Sequence, residues 1–226
     1  MNWEDECYLL SKRKFRENAN IINIFTLNRG KVAGIVYGGN SRKIRNYLQI
    51  SNKLFVLNNA KNENKIGYFK TELIKPISPI YFSNKKKTLA LISLCSLLNI
   101  LLPDSQPNKN IYKNFEKFVL SLDENNWIYF YIFFETELIK ELGYDTNLGS
   151  YNQDLTDALG FKKISIDDII YEAPNFLIRK EFPNTLSNTL IKKSLIFTRK
   201  VFVNKFFLPN NLIFPKSRII FENYFN

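Results

Sequence analysis

Nine cations stand between Tyr8 and Ile50, namely Lys12, Arg13, Lys14, Arg16, Arg29, Lys31, Arg42, Lys43 and Arg45, against the single acid Glu17. At this density lysine and arginine do one kind of chemistry well. They hold phosphates, because each cation that replaces a counterion condensed on a polyanion gains free energy by releasing it. Residues 1–80 carry 14 basic and 6 acidic residues, net +8; residues 81–226 carry 18 and 15, net +3 of the formal +11. The positive field therefore belongs to the N-terminal part. Gly38-Gly39-Asn40-Ser41-Arg42-Lys43-Ile44-Arg45 reads as a loop whose glycines let backbone approach a phosphate and whose arginines grip it bidentately. It lacks the Walker spacing and its Lys-Ser/Thr pair, which excludes a nucleotide-hydrolysis loop. The bland alternative for Arg42, Lys43 and Arg45, and more so for Lys12, Arg13, Lys14 and Arg16, is a solvated charged surface.

Aromatic residues are interleaved with this charge, at Phe15, Phe25, Tyr37, Tyr47, Phe55, Tyr68 and Phe69. A platform for stacking unpaired bases needs that combination. Alternation along strands sends most of them into a core, and Tyr37 and Tyr47, which flank the basic loop, are the stacking candidates.

Catalytic chemistry is poorly provided for. The chain has no histidine, so the commonest general base, metal ligand and partner of a nucleophile is missing. Cys7 and Cys95 are far apart with no companion at metal-ligand spacing, which suggests neither a disulfide framework nor zinc. The carboxylates Asp167-Asp168 and Glu135/Glu137 are only neighbours in sequence, and adjacency alone builds no site. A non-enzymatic protein with no cofactor is expected.

The elements that must position the cations are strands. Short β-branched or aromatic runs predict five, at Cys7–Lys14, Ala19–Thr26, Lys31–Tyr37, Lys53–Asn59 and Ile66–Ile74, with a tight turn at Leu27-Asn28-Arg29-Gly30. Five strands in some 70 residues suit a closed barrel of the oligonucleotide-binding (OB) type. Pro76 and Pro79 break the pattern, and helical spacing follows, so a domain boundary falls near residue 80. Helices are predicted at Leu89–Leu102, Lys109–Leu122, Asn126–Leu142 with Gly143 as terminator, Thr185–Phe207, and from Pro215 or Lys216 onward. Ser150–Pro174 reads as irregular. The fold class is α+β: an OB barrel over 1–80, then a mainly helical domain over 81–226 with an irregular insert near 145–180.

The longest apolar stretch, Leu89–Leu102, is too short for a bilayer and holds Ser93, Ser96 and Asn99. The start, Met1-Asn2-Trp3-Glu4-Asp5-Glu6, is acidic where a signal peptide would be basic. A cytoplasmic protein without a membrane partner is expected.

Three segments carry a family resemblance: Lys14-Phe15-Arg16-Glu17-Asn18, Ile22 to Lys31, and Gly38-Gly39-Asn40-Ser41-Arg42. Their order and spacing resemble the N-terminal barrel of bacterial RecO. Tyr131 to Tyr144, ending Leu142-Gly143-Tyr144, looks like the family's Leu-Gly-Tyr helix end, and Ser217-Arg218 is similar to its terminal Ser-Arg helix. The resemblance implies a nucleoid-associated recombination mediator that binds single- and double-stranded DNA and anneals complementary strands. It also implies action with RecR to load recombinase on DNA coated by single-strand-DNA-binding protein, whose acidic C-terminal tail docks on the helical domain. Phe133, Lys140, Arg179 and Lys180 are the candidates for that docking, with core packing as the alternative for Phe133. DNA contacts fall to Lys12, Arg13, Lys14, Arg29, Lys31, Arg42, Lys43 and Arg45, with Tyr37 and Tyr47 for bases.

Two departures matter. Thr146–Tyr171 has no Cys or His where some RecO proteins carry a four-cysteine zinc module, so zinc is not expected, and Tyr37-Gly38 stands where Lys-Gly is usual. The rival readings are an RNA- or ribosome-binding OB protein, an interaction module whose charge only keeps it soluble, and a nuclease, for which no carboxylate cluster can be assembled.

Overall fold

In the computed structural model, residues 2–39, 41–59, 66–144, 146, 148–151, 160–183 and 185–225 are described. Asn40 of the basic loop and residues 152–159 of the expected irregular stretch lie outside them. The chain divides into compact units of Met1–Lys113 and Asn114–Asn226. That division falls later than the change of texture near residue 80.

In the first unit β1 (Trp3–Arg16), β2 (Ala19–Thr26), β3 (Gly30–Tyr37), β4 (Lys53–Asn59) and β5 (Gly67–Lys75) close a barrel in the order β1-β2-β3-β5-β4. The five predicted strands are all present. β1 is longer than the sequence suggests, because Glu4, Asp5 and Glu6 continue the strand opposite β4, where Glu6 meets Lys53 at 2.9 Å. Its first half pairs with β4 and its second half with β2, and one extra residue at Leu10 and another at Phe15 interrupt the second ladder. Such bulges bend a strand, which lets one strand serve both sides of a small barrel. Cys7, Leu9, Ile22, Ile24, Val36, Leu54, Val56 and Phe69 alternate inward to form the core. Tyr8 and Phe25 point the other way, and Tyr112 covers both at ring distances of 5.5 and 5.3 Å. The Leu27–Gly30 turn closes with Gly30 at φ +68°, and a Cβ there would overlap the Gln106 carbonyl.

The basic segment after β3 is not a loop throughout. Arg42–Tyr47 forms a short helix, α1, whose N-terminus is capped by the Ser41 hydroxyl accepting from the Ile44 amide at 3.4 Å. Ile44 and Tyr47, three apart, face the barrel core. After β5 a 3-10 turn at Ser78–Tyr81 leads to α2 (Lys85–Leu101) and α3 (Lys109–Ser121), within which the division between units falls.

The second unit holds the rest of α3, then α4 (Trp127–Glu141), β6 (Phe161–Ile166), β7 (Ile169–Pro174), α5 (Asn175–Arg179), α6 (Asn188–Phe202) and α7 (Lys216–Asn223). Gly143, at φ +97°, ends α4 as predicted. In this unit one expectation fails. Residues 161–174 are not irregular but form a hairpin, whose two-residue turn puts Asp167 at φ 47° and Asp168 at φ 63°. Both signs match a primed hairpin turn, usually signalled by glycine, which is absent here. α6 stops at Phe202, and a wider π-type turn, Val203–Phe207, takes up the remainder of the predicted helix.

The core of this unit is aromatic around one buried ion pair. Arg218 on α7 and Glu135 on α4 have fully buried side chains and meet at 2.5 Å. Arg218 also bonds the Leu195 carbonyl on α6 at 2.8 Å and Glu222 at 3.2 Å. Glu135 in turn accepts from Thr198 at 2.6 Å and from Tyr131 at 3.0 Å. Burial works against the Arg218 charge, and Glu135, with Tyr131 and Glu222, more than offsets it, so its pKa is raised. Arg218→Met should cost about 3–5 kcal/mol in urea unfolding, because Glu135 is left charged and unpaired. Adding Glu135→Leu should restore most of that loss.

Candidate nucleic-acid interface

The structure sorts the nine cations by where the barrel's ladders put them. β1 runs out to Arg16, which pairs with Ala19, which in turn faces Tyr37 across the next ladder. Arg13, Lys14 and Arg16 are exposed here, as are Arg42, Lys43 and Arg45 on the outward side of α1. Burial and the charge of Arg45 lower the pKa of Lys12, which ties this end of β1 to α1. Its ammonium donates to the Leu48 carbonyl at 2.7 Å, just past the helix. Lys12 is thus a positioning residue, half-buried and occupied.

Arg29 and Lys31 do not join this group. Arg29 sits in the β2–β3 turn and Lys31 at the start of β3, at least six ladder steps from the Ala19–Tyr37 pair, which is roughly 20 Å or more at strand rise. Two groups of cations, at the end of β1 and on α1, therefore lie near each other, and the turn residues stand apart. Lys31 is also spoken for: it donates to the Asn99 carbonyl at 2.9 Å and pairs with Asp104 at 3.1 Å. Arg29 is exposed, with its guanidinium 4.9 Å from the Trp3 ring centre.

The two stacking candidates part company as well. Tyr37 is exposed, whereas Tyr47 packs against the core and donates its hydroxyl to the Thr71 carbonyl at 2.6 Å. The aromatic that accompanies Tyr37 is Tyr68, with Phe15 on the β1 bulge beside Arg16. The alternation of β5, in which Gly67 and Phe69 are buried and Tyr68 and Lys70 exposed, carries that signal. It could not be used from the sequence alone, because period two does not say which face is inside.

In the second unit Phe133, Lys140 and Lys180 line a cleft of about 200 Å³ with Thr136, Glu137 and Leu177. Arg179 does not line it and pairs with Glu181 at 3.7 Å. Phe133 is held edge-on against Phe182 and Phe176. Glu137 adds one acid to the two lysines, so the cleft is weakly rather than strongly cationic. Tyr144 of the Leu-Gly-Tyr segment packs on Phe206, and the adjacent Lys205 reaches Asp167 in the hairpin turn at 2.5 Å. Those signature residues, with Arg218, build the unit. Among the described residues no group of three or more His, Cys, Asp or Glu could hold a metal ion, and no helix is long and apolar enough to cross a membrane.

A closed five-stranded barrel of this order, with a helix between β3 and β4, is an OB fold, here joined to a mainly helical C-terminal part. The models for the N-terminal and C-terminal parts of recombination protein O match residues 1–77 and 83–150. Relatives named DNA repair protein RecO include one from Wolbachia sp. subsp. Drosophila simulans, 32% identical over 66% of this chain and 62% of its own length. One from Roseobacter denitrificans is 30% identical over 77% of this chain and 69% of its own, and one from Wolbachia pipientis wMel is 28% identical over 96% and 98%. The chain belongs to the RecO family of DNA repair and recombination proteins. Against the first of these relatives the match spans less than two thirds of the relative's length.

The Lys12–Arg45 arrangement makes a prediction of its own. Arg45→Gln should raise the Lys12 pKa toward its ordinary value, read by NMR titration of its ammonium. Because the folded-state pKa is the lowered one, stability rises as pH climbs from that value toward the unfolded one. Arg45→Gln should flatten that rise.

Proposed function

We propose that this protein is a recombination mediator that binds single- and double-stranded DNA through the barrel, residues 1–80, and anneals complementary strands without catalysis or a cofactor. The observation that carries the reading is the exposed cluster of Arg13, Lys14, Arg16, Arg42, Lys43 and Arg45 at one end of the barrel. Such a cluster holds backbone phosphates with little sequence preference, since phosphate contacts position a protein without naming bases. Two strands on one positive surface repel each other less, and annealing follows from that screening. Lys12 supports the site from behind, and Arg29 and Lys31 fall outside its main contact area. In the same reading the helical part, with no zinc, receives the acidic tail of single-strand-DNA-binding protein at Phe133, Lys140 and Lys180. Arg179 stands at the edge of that surface, and RecR and recombinase loading complete the role, in the cytoplasm at the nucleoid.

Salt titration tests the cluster. Each single-strand phosphate neutralised contributes about −0.7 to the slope of log K against log salt. Arg42→Gln with Arg45→Gln should flatten the slope by about 1.4, whereas Arg29→Gln leaves it nearly unchanged. A flat slope in the wild type removes the phosphate reading.

Annealing of complementary oligonucleotides precoated with single-strand-DNA-binding protein tests the mediator role. Acceleration that fades with salt supports it. Tight DNA binding without acceleration leaves an OB protein of the RNA- or ribosome-binding kind.

A further inference from the structure

Beside the cation cluster, Tyr37 at the end of β3 and Tyr68 on β5 form an aromatic pair, joined by a side-chain hydrogen bond, that lies outside the core. Tyr37 is 52% exposed and Tyr68 41%, yet their rings stack 5.2 Å apart at 27°. The buried pairs of the same chain are steeper, as in Phe25–Tyr112 at 60°. A near-parallel pair in solvent presents a flat face, and flat faces accept a further ring.

The surroundings of the pair suit one ligand. A cleft of about 440 Å³ opens against it, floored by Val36, Ile44 and Phe69 and edged by Asn59 and Thr71. That volume lies in the range of small-ligand sites, with an apolar floor for a planar ring and amide and hydroxyl groups for its edge. Arg16 is two strand pairings from Tyr37 through Ala19, about 10 Å at strand spacing, Phe15 beside it is 43% exposed, and Lys70 lines the same cleft. Cations around a flat aromatic face complement a ring that arrives attached to phosphates.

We propose that Tyr68 with Tyr37 is a stacking platform for an unpaired nucleobase, and that this pair gives the barrel a preference for single strands over duplex. In a duplex each base face is covered by its neighbours, so only an unpaired strand can offer one without unstacking. The cations supply affinity common to both forms, and the tyrosines supply the difference. The proposal rests on the phosphate-binding reading above.

The test is anisotropy titration of the full chain with three labelled DNAs of equal length: a mixed-sequence single strand, its duplex, and an abasic single strand. Tyr68→Ala should weaken single-strand binding about tenfold. Duplex binding should change by less than about twofold, and Tyr68→Phe should match the wild type. Tyr68→Thr, which keeps a strand-forming residue on β5, should reproduce the alanine result if the alanine variant folds poorly. On the abasic strand the loss should vanish. An equal loss on abasic and natural strands, or no loss on either, overturns the stacking role and leaves the phosphate reading standing. Failure of the wild type to bind any of the three overturns the phosphate reading itself, and the proposal with it.

Discussion

The Arg218–Glu135 pair sets the terms for the second unit. Removing two charges from water costs several kcal/mol per ion, and their attraction offsets that only when the remaining donors and acceptors are also met. Here they are met from three helices. The guanidinium takes both Glu135 oxygens, the Leu195 carbonyl and Glu222, while Thr198 and Tyr131 fill the remaining positions on Glu135. Arg199 holds Glu222 from α6 at 2.9 Å. The aromatic contacts around the pair, such as Tyr131 with Phe221 at 4.5 Å, gain free energy from burial but tolerate repacking. An ion pair with this geometry does not, and it fixes one register of α4, α6 and α7.

The barrel solves a related problem with less at stake. Its interior is apolar and period two assigns each strand residue to one side, so the cations must leave by the outer face or the ends. Lys12 reaches the end of the core and is bound there by a carbonyl; Lys31 is bound at the other end by Asn99 and Asp104. These two act as internal fasteners. The bulge at Phe15 interrupts the ladder at the tail of β1, where Arg16 pairs with Ala19 of β2 and lies over the exposed Phe15 ring.

Much of this was legible in the sequence. β2 and β4 fall where alternation and punctuation put them, and the OB barrel follows from five such runs. What failed did so for local reasons. α1 was hidden because two glycines suggest a loop, whereas Ser41 is a cap and Ile44 and Tyr47 form an inward stripe only one turn long. The Asp167-Asp168 hairpin lacked the glycine that announces such a turn. At the site, charge density was readable but direction was not: nothing in the spacing of Lys12, Arg29 and Lys31 says that one faces a carbonyl, one lies over Trp3 and one meets Asp104. Tyr47 turns toward the core and Tyr68 toward solvent for the same reason, since each sits at a position whose face is set by the closing of the barrel.

Arg29 apart, those of the nine cations that remain exposed are distinguished by what carries them rather than by number. Arg13, Lys14 and Arg16 sit on the paired end of a strand, and Arg42, Lys43 and Arg45 on a capped helix whose other face is anchored in the core. Their backbones are already fixed, so a ligand that binds them orders only side chains. Lysines on a free loop would lose more freedom for the same charge, and the order in which this chain spends its residues follows from that: Ser41 to cap, Ile44 and Tyr47 to anchor, and the charges between them left for whatever polyanion arrives.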